Sequence, residues 1–324
     1  MNIRPLTLVL SALLAFASPA FPADYPTHAI HLIVPYAPSG NADIMGRIVG
    51  QRLSEVLGQP VVIDNRPGAN SIIGTELAAK APPDGYTIII VASSHSTNPV
   101  MVKQLPYDSV RDFSPIGLVG STPVVLVTHP SLPASNLKGL IALARAHPGA
   151  LNFSSSGNGS PGNLAGALLN SMAGINIVHV PYKGSVQATT DVIAGNVQMS
   201  YPSLTSIVSY LKIGKLKALG ISSLKRSSLA PELPTISESG LPGYQASIWN
   251  GILAPANVPQ PIVARLNSEL VRMLNSQQVH ERFASLGADV APSSPEEFKA
   301  FIESEMVKWT KVIRDAKITV DIER

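Results

Sequence analysis

Apolar and polar positions along this chain follow two rhythms. Ile30, Leu32, Ile33 and Val34 form a run rich in β-branched residues that ends at Pro35, and they predict a buried strand. Pro35 and Pro38 bar a helix in the next few residues, while Gly40 and Asn41 tolerate unusual backbone angles. Ile44, Ile48, Val49 and Leu53 then share one helical face, with Arg47 and Gln51 off it, and Ser39 and Asn41 are candidate caps. Strand, polar loop and helix start thus follow one another within residues 30–46. A helix start presents unpaired N–H groups and a partial positive charge, so this stretch reads either as an ordinary strand-to-helix turn or as an anion site.

The same unit recurs. Residues 60–64 predict a short strand, 65–74 a glycine-bearing polar loop and 73–81 a short helix. The PPDGY turn at 82–86 precedes the unbroken apolar run TIIIVA, a buried parallel strand, which empties into a third polar loop at 93–99. Such repetition predicts a doubly wound sheet, whose loops at the carboxyl ends of the strands line a ligand crevice.

Residues 118–127, with Pro123 inside, read as a strand crossing into a second lobe. There, strands at 151–154, 177–180, 197–201 and 216–221 alternate with helices at 136–146, 164–172 and 186–194. A Pro/Gly-rich surface connection at 231–243 leads to the return crossing at 248–255, and helices at 261–275 and 295–316 close the chain. The expectation is an α/β fold of two lobes, each a sheet flanked by helices. Its parts are a first lobe over 24–121, a second over 122–247, and a segment at 248–324 that completes the first lobe and supplies the C-terminal helices.

Residues 1–23 read differently. Arg4, an apolar run at 6–16 and small residues up to Ala20 or Ala23 have the form of a cleaved signal peptide, which predicts a periplasmic protein. The apolar run is too short for a stable membrane span. Without cysteine the chain has neither a disulfide nor a lipid-bearing thiol, so its core alone must hold it together.

The net charge of +3 is unevenly spread. Between Asp112 and Glu232 the single acidic residue is Asp191, whereas eight Lys and Arg side chains fall in that span, Lys183 among them. A lobe of one sign draws small anions by its field. Nucleic acid is not expected, because aromatic stacking platforms are scarce at 5% of residues.

Candidate chemistry narrows the picture. The loop SSSGNGSPGN at 154–163 carries Gly157, Gly159 and Gly162 in a dinucleotide-like spacing. No acidic residue follows at the distance a ribose needs, and Pro161 sits where the loop should tighten, so a carboxylate cradle or a structural turn fits better. PYKGS at 181–185 lacks the leading glycine of a phosphate loop. The seven histidines form no metal set, and only His95, in the third loop, stands where a functional group would. No nucleophile elbow is present, Asp43 and Asp64 stand apart, and Asp43 suits a helix-start partner. The chain reads as a binder rather than an enzyme, with no cofactor.

PYAPSGNAD at 35–43, NRPGANSIIG at 65–74, PPDGYTI at 82–88 and SSHSTNP at 93–99 carry a family resemblance. SSSGNGS at 154–160, VPYKGS at 180–185, LPTISESGLPGY at 233–244 and WNGILAPANVP at 249–259 extend it in order to the C-terminus. Together they resemble the periplasmic substrate-binding proteins of tripartite tricarboxylate transporters, the Bug family. The resemblance implies a two-lobed Venus-flytrap fold, type II-like, with a carboxylate gripped in the cleft by backbone N–H groups and water. It implies ligand contacts at Tyr36, Ala37, Ser39, Gly40 and Asn41, with Asp43 supporting the helix start, and at Asn70 and Ser93. From the second lobe it implies Ser155, Ser156, Gly157, Ser160, Tyr182 and Gly184.

Three departures stand out. Ser39 replaces a usual glycine and is expected to turn an extra hydroxyl into the cleft, and Asn163 replaces a usual histidine. Tyr201–Pro202 replaces an aromatic–Asp pair, which removes an acid from the hinge side and favours plain carboxylates or neutral aromatic acids over amino-bearing ligands. The implied role is an exported monomer that delivers a small organic acid to integral membrane transporter subunits. A receptor for a sensor kinase and a periplasmic enzyme acting on a carboxylate through His95 and Ser93 are the alternatives.

Overall fold

The computed structural model describes residues 25–227 and 229–318. The signal peptide expected at 1–23 lies outside the described residues.

The first strand, β1 (Ile30–Val34), exposes His31 alone, as expected of a strand covered on both faces. It leads into α1 (Asn41–Leu57), and β2 (Val61–Asn65), α2 (Ile72–Ala79), β3 (Thr87–Ala92), α3 (Ser94–Met101) and β4 (Phe113–Thr122) follow. The second half runs β5 (Val125–Thr128), α4 (Leu137–Ala146), β6 (Asn152–Ser155), α5 (Pro161–Ala173), β7 (Val178–Pro181), α6 (Ser185–Ile193), β8 (Met199–Ser200), α7 (Leu204–Lys212) and β9 (Lys217–Ile221). The chain closes with β10 (Ile248–Pro255), α8 (Gln260–Leu274), α9 (Gln277–Ser285), β11 (Asp289–Val290) and α10 (Pro295–Asp315).

Two sheets result, ordered β11-β4-β10-β3-β1-β2 and β7-β6-β8-β5-β9. They repeat one plan. β1 is parallel to β2 and β3, as β6 is to β7 and β8. The next strand is antiparallel in both sheets, β10 beside β3 and β5 beside β8. In each case that reversed strand comes from a segment crossing between the sheets. The single crossing strand expected at 118–127 is in fact two, because Pro123 separates β4 from β5 and each joins its own sheet.

The two crossing segments are stitched together by backbone bonds. Ser222 donates N–H to the Val124 carbonyl at 2.9 Å, and Ala246 donates to the Ser222 carbonyl at 3.1 Å. A third connection is α10, whose Ser294 cap and Glu297 form a reciprocal capping box. Its first half packs Phe298 and Ile302 into the core beside β3 and β10, while Trp309, Val312 and Ile313 enter the core of the other sheet. At 21 residues the helix is about 31 Å long, enough to span both.

Two local readings need correcting. The polar loop expected at 93–99 is helix α3, with Pro99 inside it. Its His95, Ser96, Thr97 and Asn98 are buried polar residues, so it shows no apolar stripe that periodicity could detect. Nor do Ser39 and Asn41 cap α1. Gly40 is the N-cap, without a side-chain bond, and Ser39 adopts φ 67°, the left-handed region that explains a glycine preference at its position.

Candidate functional site

Four loops and three helix N-termini enclose a cavity of about 640 Å³ between the two sheets. The start of α1 contributes Gly40, Asn41 and Ala42, that of α3 contributes Ser93, Ser94 and Thr97, and that of α5 contributes Asn158, Gly159, Ser160 and Pro161. Tyr36, Ala37, Ala69, Asn70 and Ala92 add wall on one side, and Leu164 on the other. Ala246, Ser247, Ile248 and Asn250 supply the hinge side, with Trp309 reaching in from α10. Among the described residues that line it there is no Asp, Glu, Lys, Arg or His.

The walls are built by bonds that tie loop to loop. Tyr36 OH shares a 2.8 Å bond with Ser94 Oγ and accepts the Ala92 N–H at 3.0 Å, which joins the first loop to the β3–α3 junction. Burial raises its pKa despite these partners. Ala69, Asn70 and Ser71 take φ of 45°, 52° and 74°, three consecutive left-handed residues. Buried Asn98 holds this turn from beneath. Its Nδ2 donates to the Asn70 carbonyl at 2.9 Å, and its Oδ1 accepts from Asn70 Nδ2 at 2.7 Å.

Asp43 works behind the wall. Its carboxylate accepts from Ser39 N–H at 2.9 Å, Arg47 Nε at 3.0 Å and Asn65 Nδ2 at 2.8 Å. Burial alone would raise its pKa, but these three donors outweigh it and hold the carboxyl below its usual range. Asp43 therefore fixes the loop and leaves the cleft to neutral groups.

Of the residues implied by resemblance, Tyr36, Ala37, Gly40, Asn41, Asn70, Ser93 and Ser160 come together on the cleft. Ser39, Asp43, Ser155, Ser156, Gly157, Tyr182 and Gly184 do not line it. Ser39 is exposed, and its N–H serves Asp43, so no extra hydroxyl turns into the cavity. Ser155 is buried against His179, with Oγ 2.6 Å from Nε2. Tyr182 donates its hydroxyl to Asp191 at 2.5 Å, a bond that pushes the phenol up to about 12. Gly184 is the N-cap of α6.

The glycine cradle also differs from its expected form. Gly157 N–H donates to Ser155 Oγ at 3.1 Å and Gly159 N–H to Asn163 Oδ1 at 2.9 Å, so both are used inside the loop. Asn163 thus pins the loop from the first turn of α5. Asn158 and Gly159 line the cleft from within the predicted loop, whereas Asn250 and Trp309 were missed. Asn250 left one signal, a polar residue inside an apolar strand. Trp309 left none, since helical spacing marks it only as core.

His95 is the misplaced candidate. It is buried between Tyr107 and Phe113, with Nε2 2.8 Å from the Ser109 carbonyl oxygen. Burial takes its pKa down to about 4, only partly offset by that carbonyl. Ser93 Oγ meanwhile accepts the Trp249 N–H at 3.0 Å, so the two residues serve separate partners.

Two sheets of one plan around a neutral, donor-rich cleft define a two-lobed solute receptor. Residues 45–318 match the tripartite tricarboxylate transporter family receptor, TctC, and the chain belongs to that family. It is 36% identical to the protein BugT of Bordetella pertussis over 320 residues, 97% of this chain and 98% of that one. The Rhodopseudomonas palustris protein Rpa4515, solved with adipate, superposes with a TM-score of 0.73 at 35% identity, covering 91% of this chain and 99% of its own. MatC from the same organism, solved with malate, gives 0.69 at 30% identity over 89% and 100%. The family is one of transporter receptors, so the role of this chain is binding in a transport system rather than turnover.

Proposed function

We propose that this protein is an exported receptor that captures a small carboxylate between its lobes and hands it to the integral membrane subunits of a tripartite tricarboxylate-type transporter. The observation that carries this reading is a cleft with no charged side chain among the described residues that line it, onto which α1, α3 and α5 open their N-termini. A carboxylate there meets helix-end N–H groups and fixed dipoles, and charge-assisted bonds of that kind are worth about 1.5–3 kcal/mol each. An ammonium group would find no acid to pair with in the same walls. The adipate and malate of the two relatives are both carboxylates.

Capture on both sides would draw the lobes together, because α5 lies on one and α1 and α3 on the other. That closure is the signal the membrane subunits would read. A periplasmic location agrees with the leader-like residues 1–23 and with the family. Native mass spectrometry and thermal-shift screening of the mature protein against mono-, di- and tricarboxylates, aromatic acids and amines test the reading. Carboxylates should raise the melting temperature and be recovered unchanged. Stabilisation by amines alone, or conversion of the acid, would overturn it.

A further inference from the structure

The hinge side of the cleft holds polar atoms that the fold leaves unanswered. Asn250 lies in β10, fully buried, and lines the cavity. Its Nδ2 reaches the Val91 carbonyl oxygen at 3.5 Å, while its Oδ1 accepts no bond. That carbonyl fixes the amide orientation, since the flipped form would set two oxygens against each other. Ser247 lines the same cavity, and its Oγ also has no partner.

Several polar groups of the same region have partners of their own. Asn41 Nδ2 is 3.2 Å from Thr122 Oγ1, Asn70 Nδ2 serves Asn98, and Trp249 N–H serves Ser93. A buried acceptor without a partner is uncommon in native folds, and one that borders a ligand cavity is open to a donor brought in from outside.

Resting on the carboxylate reading above, we infer that the acid this cleft takes also carries a neutral hydrogen-bond donor, a hydroxyl or an amide, that reaches Asn250 Oδ1. Oδ1 is an acceptor only, so a second ionised carboxylate has nothing to offer it. An ammonium would lack a counter-charge, because no acidic side chain lines the cleft among the described residues. Asn250 is then the residue that separates hydroxy acids from their unsubstituted analogues. A site built for a donor discriminates against the ligand that lacks one, since its own oxygen stays unpaired.

The test is calorimetric titration of the mature protein with matched pairs: propionate and lactate, glutarate and 2-hydroxyglutarate, benzoate and 4-hydroxybenzoate. In at least one pair the hydroxylated acid should bind about tenfold tighter, the scale of one buried hydrogen bond. Asn250→Leu, which keeps the branched shape and removes the acceptor, should bring that ratio to about one by weakening the hydroxy acid. Equal or tighter binding of the unsubstituted acid in every pair would overturn the inference. So would a ratio that persists in the variant, which would assign Oδ1 to an internal water.

Asn250→Asp keeps the side-chain shape and covers the case in which leucine does not fold. It should shift preference from lactate toward alanine, and an unchanged lactate-to-alanine ratio counts against the assignment. Failure of every carboxylate to bind wild-type protein would sink the underlying reading. Carboxylate binding without the hydroxyl preference would sink this inference alone.

Discussion

Glu305 offers a stringent test of how the lobes are joined. It is buried on α10, and its Oε2 accepts Trp309 Nε1 at 2.9 Å and Trp249 Nε1 at 3.2 Å. Its Oε1 pairs with Lys308, which also donates to the Gln245 carbonyl at 3.0 Å. One carboxylate therefore binds a strand of one sheet to the helix that enters the core of the other. In Glu305→Gln the amide oxygen can still serve the indoles, but its NH2 then faces the Lys308 ammonium and that pair is lost. Both indole bonds then fall from charge-assisted to neutral, a loss of about 1 kcal/mol each. The Lys308 pair is partly exposed and adds less.

Release of a buried charge returns part of this, so about 2 kcal/mol should remain. Glu305→Ala leaves two buried N–H donors without acceptors, at about 1–3 kcal/mol each, and should cost about 4 kcal/mol with the cavity included. The assay is urea unfolding followed by fluorescence and far-ultraviolet circular dichroism. The chain contains two tryptophans, and both donate to this carboxylate, so native emission reports on the site directly. An alanine variant within 0.5 kcal/mol of wild type, with an unshifted emission maximum, would refute the argument.

Other expectations follow from the same geometry. Asn98→Ala should free the left-handed turn at 69–71, lowering stability by about 2 kcal/mol and speeding amide exchange there, and unaltered exchange would contradict the pinning role. His95 is held neutral with a pKa near 4, below its unfolded value, so the stability it contributes is present above about pH 6.5 and lost as pH falls toward 4. The slope should reach about 1.4 kcal/mol per pH unit from this group and flatten in His95→Asn, as read by denaturation at stepped pH. Lys183 is exposed and away from the cleft, so Lys183→Gln should slow ligand association and weaken its salt dependence. Stopped-flow rates at two ionic strengths check this, and a changed dissociation rate with unchanged association would argue for direct contact.

Much of the architecture was legible because local signals agreed with the final packing. The run at Ile30–Val34 and the stripe on α1 became a buried strand and a half-buried helix as their periodicities required. α3 was illegible because its buried residues are polar, with His95 and Asn98 bonded to distant partners and Ser96 to a carbonyl three residues back. The loop holding the glycines at 157 and 159 was read as a carboxylate cradle or a structural turn leading into a helix, and it does lead into α5. The glycine N–H groups, however, are spoken for by Ser155 and Asn163, which only the folded loop reveals. Tyr182 and Gly184 were placed by family pattern, while their actual neighbours depend on where α6 starts. Trp309 and Asn250 reach the cleft across large sequence distances, and only Asn250, polar within an apolar strand, left a local sign of it.

The span of α10 also bears on how this molecule comes into being. Its Phe298 and Ile302 complete one core and its Trp309, Val312 and Ile313 the other. Neither half can finish packing until α10 has been made. A nascent chain that has not reached Phe298 lacks part of both interiors, and one that has not reached Ile313 still lacks part of the second, so folding completes late. For a chain threaded through a narrow export channel, as proposed above, late completion is an advantage built into the order of its residues.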